Sequence, residues 1–106
     1  MNFLSAHTRS APKYRLYALP GGPPARPGMV RVNEGGVAIE LEVWSMPVEH
    51  FGSFTAGIPA PLGIGKVKLA DGSQVSGFVC ESQAAQHARD ISDLGGWRRY
   101  LSEQSA

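Results

Sequence analysis

A single cysteine, Cys80, in 106 residues excludes an internal disulfide and any multi-cysteine zinc site, and suits a reducing cytoplasm. It closes the apolar run Phe78-Val79-Cys80 with no base beside it, which reads as a buried thiol, not a nucleophile. The three histidines, His7, His50 and His87, show no metal-ligand spacing, so neither a metal nor another cofactor is expected. Charge of either sign is scarce. Ten Lys and Arg stand against nine Asp and Glu, a net +1, which excludes nucleic-acid steering and a polybasic membrane patch. No apolar run approaches the ~20 residues of a membrane span. Met1-Asn2-Phe3-Leu4 has neither the charged start nor the apolar core of a signal peptide, so the expected compartment is the cytoplasm. Ser5, Ser10, Ser45 and Ser53 show no nucleophile elbow and no lysine partner. Gly63-Ile64-Gly65 lacks the third glycine of a dinucleotide fingerprint and precedes a strand, not a helix.

What remains is an ordinary globular composition, 42% hydrophobic and 18% charged, at the length of one domain. Its most distinctive stretch is Gly57-Ile-Pro-Ala-Pro-Leu-Gly-Ile-Gly65. Pro59 and Pro61 remove donors and fix φ, while Gly63 and Gly65 open conformations closed to other residues. Ile58, Leu62 and Ile64 make the stretch too apolar for a solvated linker. It reads as a stiff loop that lines a cavity or lies against another surface.

Strand periodicity runs through Lys13–Leu19, and a shorter strand covers Gly28–Val32. Pro20–Pro27 between them reads as a rigid, polyproline-like connection. The clearest strand is Val37–Trp44: Val37, Ile39, Leu41 and Val43 share a buried face, while Glu40, Glu42 and Trp44 share the other. Trp44 implies that its end of the second face is covered. Pro47 opens a helix with Val48, Phe51 and Phe54 at helical spacing. Asp71-Gly72 joins strands 65–70 and 73–80 in a hairpin. Ser82 is expected to cap a helix over 83–89, residues 90–96 read as irregular, and 97–103 form an amphipathic helix. The sum is an α+β domain of about five strands with short helices around a curled sheet.

Two sets of residues carry a chemical argument. Glu40 and Glu42 lie roughly 7 Å apart on one strand face. In a polar cavity they form an acid/base pair; on a solvated face they do nothing. Arg15, on a strand, either clamps a carboxylate in a cavity or serves the surface. Tyr17, Arg15 and the loop residues Pro59, Pro61, Leu62, Gly63 and Gly65 are the candidate binding wall facing the two glutamates.

Several segments in order resemble the C-terminal domain of allophanate hydrolases. They are Thr8-Arg-Ser-Ala-Pro-Lys-Tyr-Arg-Leu-Tyr-Ala-Leu19, Pro27-Gly-Met-Val-Arg31 and Ala38-Ile-Glu-Leu-Glu-Val-Trp44. Ile58-Pro-Ala-Pro-Leu-Gly-Ile-Gly65, Leu69-Ala-Asp-Gly72, Gly77-Phe-Val-Cys-Glu81 and Gly95-Gly-Trp-Arg98 follow. The resemblance implies a γ-glutamylcyclotransferase-like fold: a small, mixed, partly closed β-barrel with short flanking helices and a cavity at its mouth. It further implies a place in urea and allophanate degradation, where such domains are implicated in decarboxylating N-carboxycarbamate or in assembly.

Three departures shape the expectation. The chain carries no amidase machinery, so it is not expected to hydrolyse allophanate alone. The family domain opens with a strand ending in Gly-Ala-His-Leu, whereas this chain begins at about the next element. His7 aligns past that motif and does not inherit the histidine's role. The acid used by cyclotransferases falls near Ile58-Pro59, where none is present, so cyclotransferase activity is not expected. Two roles follow: binding or decarboxylating a small carboxylated urea derivative, or a non-catalytic module that docks an amidase or forms a homo-oligomer. Residues 1–10 are expected to be flexible or swapped, leaving an unpaired sheet edge.

Overall fold

In the computed structural model, which describes residues 5–21 and 26–104, seven strands and three helices enclose one principal core. Strand β1 spans Ser5–Arg9, β2 Tyr14–Leu19, β3 Arg26–Arg31 and β4 Glu40–Trp44. Helix α1 (Val48–Ala56) precedes the hairpin β5 (Leu62–Lys68) and β6 (Gln74–Cys80). A short α2 (Ser82–Ala85), a two-residue β7 (Arg89–Asp90), a 3-10 turn (Ser92–Leu94) and α3 (Trp97–Gln104) complete the chain. No helix among the described residues is long and apolar enough to cross a membrane.

The strands form three antiparallel ladders, β1-β4, β3-β2-β7 and β5-β6, and not a closed barrel. Short bridges stitch them together. Ser10 pairs with Leu69 and Tyr14 with Val37. The core clusters Tyr14, Leu16, Met29, Ile39, Val67 and Ile91 where the three ladders meet. A second cluster, Leu19, Val30, Cys80 and Ala85, lies between β3, β6 and α2. Burial pushes the Cys80 thiol up, as does Glu81, which keeps it protonated and inert.

The hairpin forms around Asp71-Gly72: the Gly72 amide donates to Leu69, and Gly72 takes φ +91, the left-handed conformation a short hairpin loop requires. Its first strand begins at Leu62, earlier than the expected Gly65, so Leu62, Gly63 and Ile64 are strand residues and not loop. The reason is steric. Gly65 pairs with Gly77, and a Cβ on Gly77 would fall 2.9 Å from Val67 while one on Gly65 would meet Val79 at 3.1 Å. Two facing glycines let the hairpin twist with valines packed over it.

Of the four residues expected on the buried face of 37–44, Ile39 is fully buried, whereas Val37, Leu41 and Val43 are half-buried. The regular ladder begins only at Glu40, because the Val37 amide bonds Tyr14 O and the Ile39 amide bonds Ser10 Oγ. Trp44 is uncovered, at 57% exposure, with its ring nitrogen donating to Glu42. Helix α2 takes no cap from Ser82, because Ser82 is its first residue and Glu81 holds the N-cap position, and it stops at Ala85, with Arg89 and Asp90 drawn into pairing with β2. Ser5–Arg9 pairs with β4; residues 1–4 and 22–25, including Pro23 and Pro24, lie outside the described residues.

Two buried serines tie the ladders together. Ser10, with no exposed surface, accepts the Ile39 amide and donates to Ala11 O. Ser92 accepts the Leu16 amide at 2.8 Å. The Tyr14 hydroxyl accepts the Lys68 amide at 2.9 Å. Each closes a backbone donor that would otherwise be buried unpaired.

Candidate functional site

A cavity of about 810 Å³ opens between β4, the hairpin and α1. Its floor is the core itself, through Leu16, Met29, Ile39 and Val67. Phe51 and Phe54 of α1 stand over it, and Phe54 meets Phe78 of β6 edge to face at 5.7 Å between ring centroids. Helix α1 buries none of its residues and Val48 is 88% exposed, so this wall rests lightly on the body.

Glu40 and Glu42 border the cavity, and their alternation on β4 sets them on one side of the strand. Each meets an arginine. Arg9 lies 3.6 Å from Glu40, an exposed pair of little energetic weight. Arg98, at the start of α3, contacts Glu42 Oε1, while Oε2 takes the Trp44 ring N–H at 3.2 Å. The Glu40 amide donates to Gly95 O at 2.7 Å, and Gly96 is packed so closely that a Cβ there would meet Glu40 at 3.1 Å. The Gly95-Gly96-Trp97 ending therefore docks α3 against the acidic side of β4.

The other expected site residues lie elsewhere. Arg15 is held by Asp90, through Nη2 at 2.9 Å and Nε at 3.0 Å, and by Gly35 O at 2.8 Å. Tyr17 packs into the second cluster. Pro59, Pro61, Leu62, Gly63 and Gly65 do not line the cavity; of the apolar stretch only Ile64 does. The turn closes on itself and on the next strand's end, with the Leu62 amide on Pro59 O and the Glu81 amide on Pro61 O. Among the described residues no cluster of His, Cys, Asp and Glu could hold a metal ion.

Missed from sequence were Arg98, Phe78 and Met46 at the site, and the Arg15–Asp90–Ser92 linkage behind it. Burial pulls the Asp90 carboxyl upward, but bonds from Ser92 and Arg15 outweigh it and hold the group below its ordinary value of 3.8. A depressed carboxylate stabilises the fold above its unfolded pKa and loses that contribution as pH falls through the folded value. Asp90→Asn is thus expected to destabilise at pH 7 by no more than about 1 kcal/mol, the pair being part-exposed. Urea titrations should show the difference from the parent vanishing below the ordinary aspartate range. A gap that persists or widens in acid would show that Asp90 does not act as a charge.

An open arrangement of antiparallel ladders around an apolar cavity, flanked by short helices, defines a small α+β domain. The model of the family described as "Allophanate hydrolase C-terminal domain" matches residues 2–102, and the chain belongs to that family. It is 44% identical over 98 residues to urea amidolyase of Saccharomyces cerevisiae, covering 89% of this chain and 5% of that protein. The structure of Kluyveromyces lactis allophanate hydrolase superposes with a TM-score of 0.89 at 41% identity, over 97% of this chain and 17% of that one. A uropathogenic E. coli-specific protein, c4763, superposes with a TM-score of 0.83 at 39% identity, over 94% of this chain and 77% of its own. The chain thus spans one-twentieth of the curated relative but most of a small, separate protein.

Proposed function

We propose that this domain works in urea and allophanate degradation, in the cytoplasm, as a module that docks an amidase-bearing chain and not as a catalyst by itself. The observation that supports this most is the cavity lining: it includes no lysine, arginine or histidine among the described residues, and its two acids already meet arginines. N-carboxycarbamate carries two carboxylates. Placed against apolar walls and two glutamates, its charges would be desolvated without partners. Trp44, Phe51, Phe54 and Phe78 instead leave apolar surface exposed around the mouth, as a partner-covered face does. Homo-oligomerisation through the same face is a weaker form of this reading, since Glu40 and Glu42 would approach their own copies. The kinship with γ-glutamylcyclotransferases belongs to the same proposal.

One feature favours a second reading. Glu42 is 23% exposed beside the cavity, and its partner Arg98 is 79% exposed, so a carboxylate ligand could compete with Glu42 for it. Arg98 would then hold one carboxylate of N-carboxycarbamate while Glu42 or Glu40 protonates the nitrogen. The N–C bond breaks, its electron pair stays on nitrogen, and carbon dioxide leaves. Arg15, Tyr17, Pro59, Pro61, Leu62, Gly63 and Gly65 would act only from outside this cavity.

The purified chain is expected to release no ammonia from allophanate and to co-migrate with an allophanate-hydrolysing amidase in size-exclusion chromatography. Failure to co-migrate would remove the docking reading. Faster carbon dioxide release than from the amidase alone, lost in Glu42→Gln, would establish the catalytic one.

A further inference from the structure

The hydrogen-bond register of β4 leaves two of its outward amides, those of Glu42 and Trp44, unused among the described residues. The Ser10 amide donates to Ile39 O, so Leu41 and Val43 exchange bonds with β1, and the amides of Glu40, Glu42 and Trp44 point away from it. Glu40 finds Gly95 O. Among the described residues, nothing accepts from the amides of Glu42 and Trp44. That same edge borders the cavity: five consecutive residues, Glu40 to Trp44, line it. Successive side chains of a strand point to opposite faces, so a run of neighbours is presented by an edge and not by one face. An apolar space beside unpaired backbone donors is matched by an extended polypeptide, which supplies both carbonyls and side chains.

We propose that the outer edge of β4 accepts an added strand from the amidase-bearing partner, with that strand's apolar side chains filling the cavity. This rests on the docking reading above. Side chains of an added strand lie beside those of β4 on each face, so the preferred partner alternates as β4 does. Gly95 occupies the edge at Glu40, so the added strand runs past Glu42 to Trp44, with a lysine or arginine sharing Glu42 with Arg98 and an aliphatic residue beside Val43.

The probe is the peptide Val-Lys-Val-Lys-Val-Lys-Val, with amide exchange of the full chain read at Glu42 and Trp44. At about millimolar peptide, exchange at both positions is expected to slow by roughly tenfold or more as the edge is paired. A Val/Glu peptide of the same length should do nothing, and N-methylation of alternate peptide amides should abolish the effect. Trp44→Pro removes the outward donor and leaves the bonds to β1 intact, so it should prevent binding, whereas Trp44→Leu should retain it. No slowing at either position, equal binding of the N-methylated peptide, or unchanged binding by a folded Trp44→Pro protein would overturn the proposal. A dimer with both amides already protected would assign the edge to a second copy and overturn it as well. Co-migration with an amidase that leaves these amides unprotected would sink the strand addition while sparing the docking reading.

Discussion

Replacing Ile39 by alanine is expected to cost about 2–5 kcal/mol of folding stability, the range for a large aliphatic truncated in a core. Ile39 is 1% exposed and sits where the three ladders meet, against the cluster of Tyr14, Leu16 and Val67. Its amide also holds Ser10 Oγ, so the neighbouring backbone is fixed and the void cannot readily collapse. Leu41, two positions along on the same face, is only half-buried and borders the cavity. Leu41→Ala therefore removes less packed surface, and its loss should fall clearly below that of Ile39→Ala. Denaturant unfolding of the two variants tests the ranking. Equal losses would mean that the cavity is closed around Leu41 in solution.

Gly36→Ala is expected to be the most damaging single-methyl change, at about 1–3 kcal/mol or more, the cost of overpacking against atoms that cannot turn aside. The added Cβ would lie 2.6 Å from both Cα and C of Lys13 and 2.8 Å from Pro12 O. These are backbone atoms. Relief requires shifting the segment that brings the Val37 amide to Tyr14 O at 2.8 Å, the stitch between two ladders. Gly52→Ala is the matching control. It lies inside α1 with nothing within 4 Å of the new methyl, and should gain up to about 1 kcal/mol from helix propensity. Thermal unfolding should move down for the first and up or not at all for the second. A neutral Gly36→Ala would show that residues 35–37 sit farther from Lys13 than the fold described here requires.

Local pattern made much of this fold legible. Alternation marked β2 and β4, Asp71-Gly72 marked the hairpin, Pro47 marked the start of α1, and the spacing from Trp97 marked α3. Each of these depends on residues a few positions apart, which periodicity and turn chemistry report directly. The pairing of Glu40 and Glu42 on one side of a strand followed in the same way.

Tertiary structure decided what those residues meet. Ser92 serves the Leu16 amide from 76 positions away, and Arg15 finds Asp90 across 75, so Arg15 ties distant segments together and does not line the cavity beside β4. The 59–65 stretch splits into a tight turn and a strand because Gly65 and Gly77 face one another under valines, a contact made only once the hairpin closes. Helix α2 is cut short because β2 captures Arg89 and Asp90. Propensity by itself would have let that helix run on. By itself, then, the sequence determined the kind of β2, β4, α1, the hairpin and α3 and which residues share their faces, since those are set over one turn or one pleat. The cavity, the arginines beside its acids and the open edge of β4 arose only where distant segments came together, because long-range packing leaves no period in the chain.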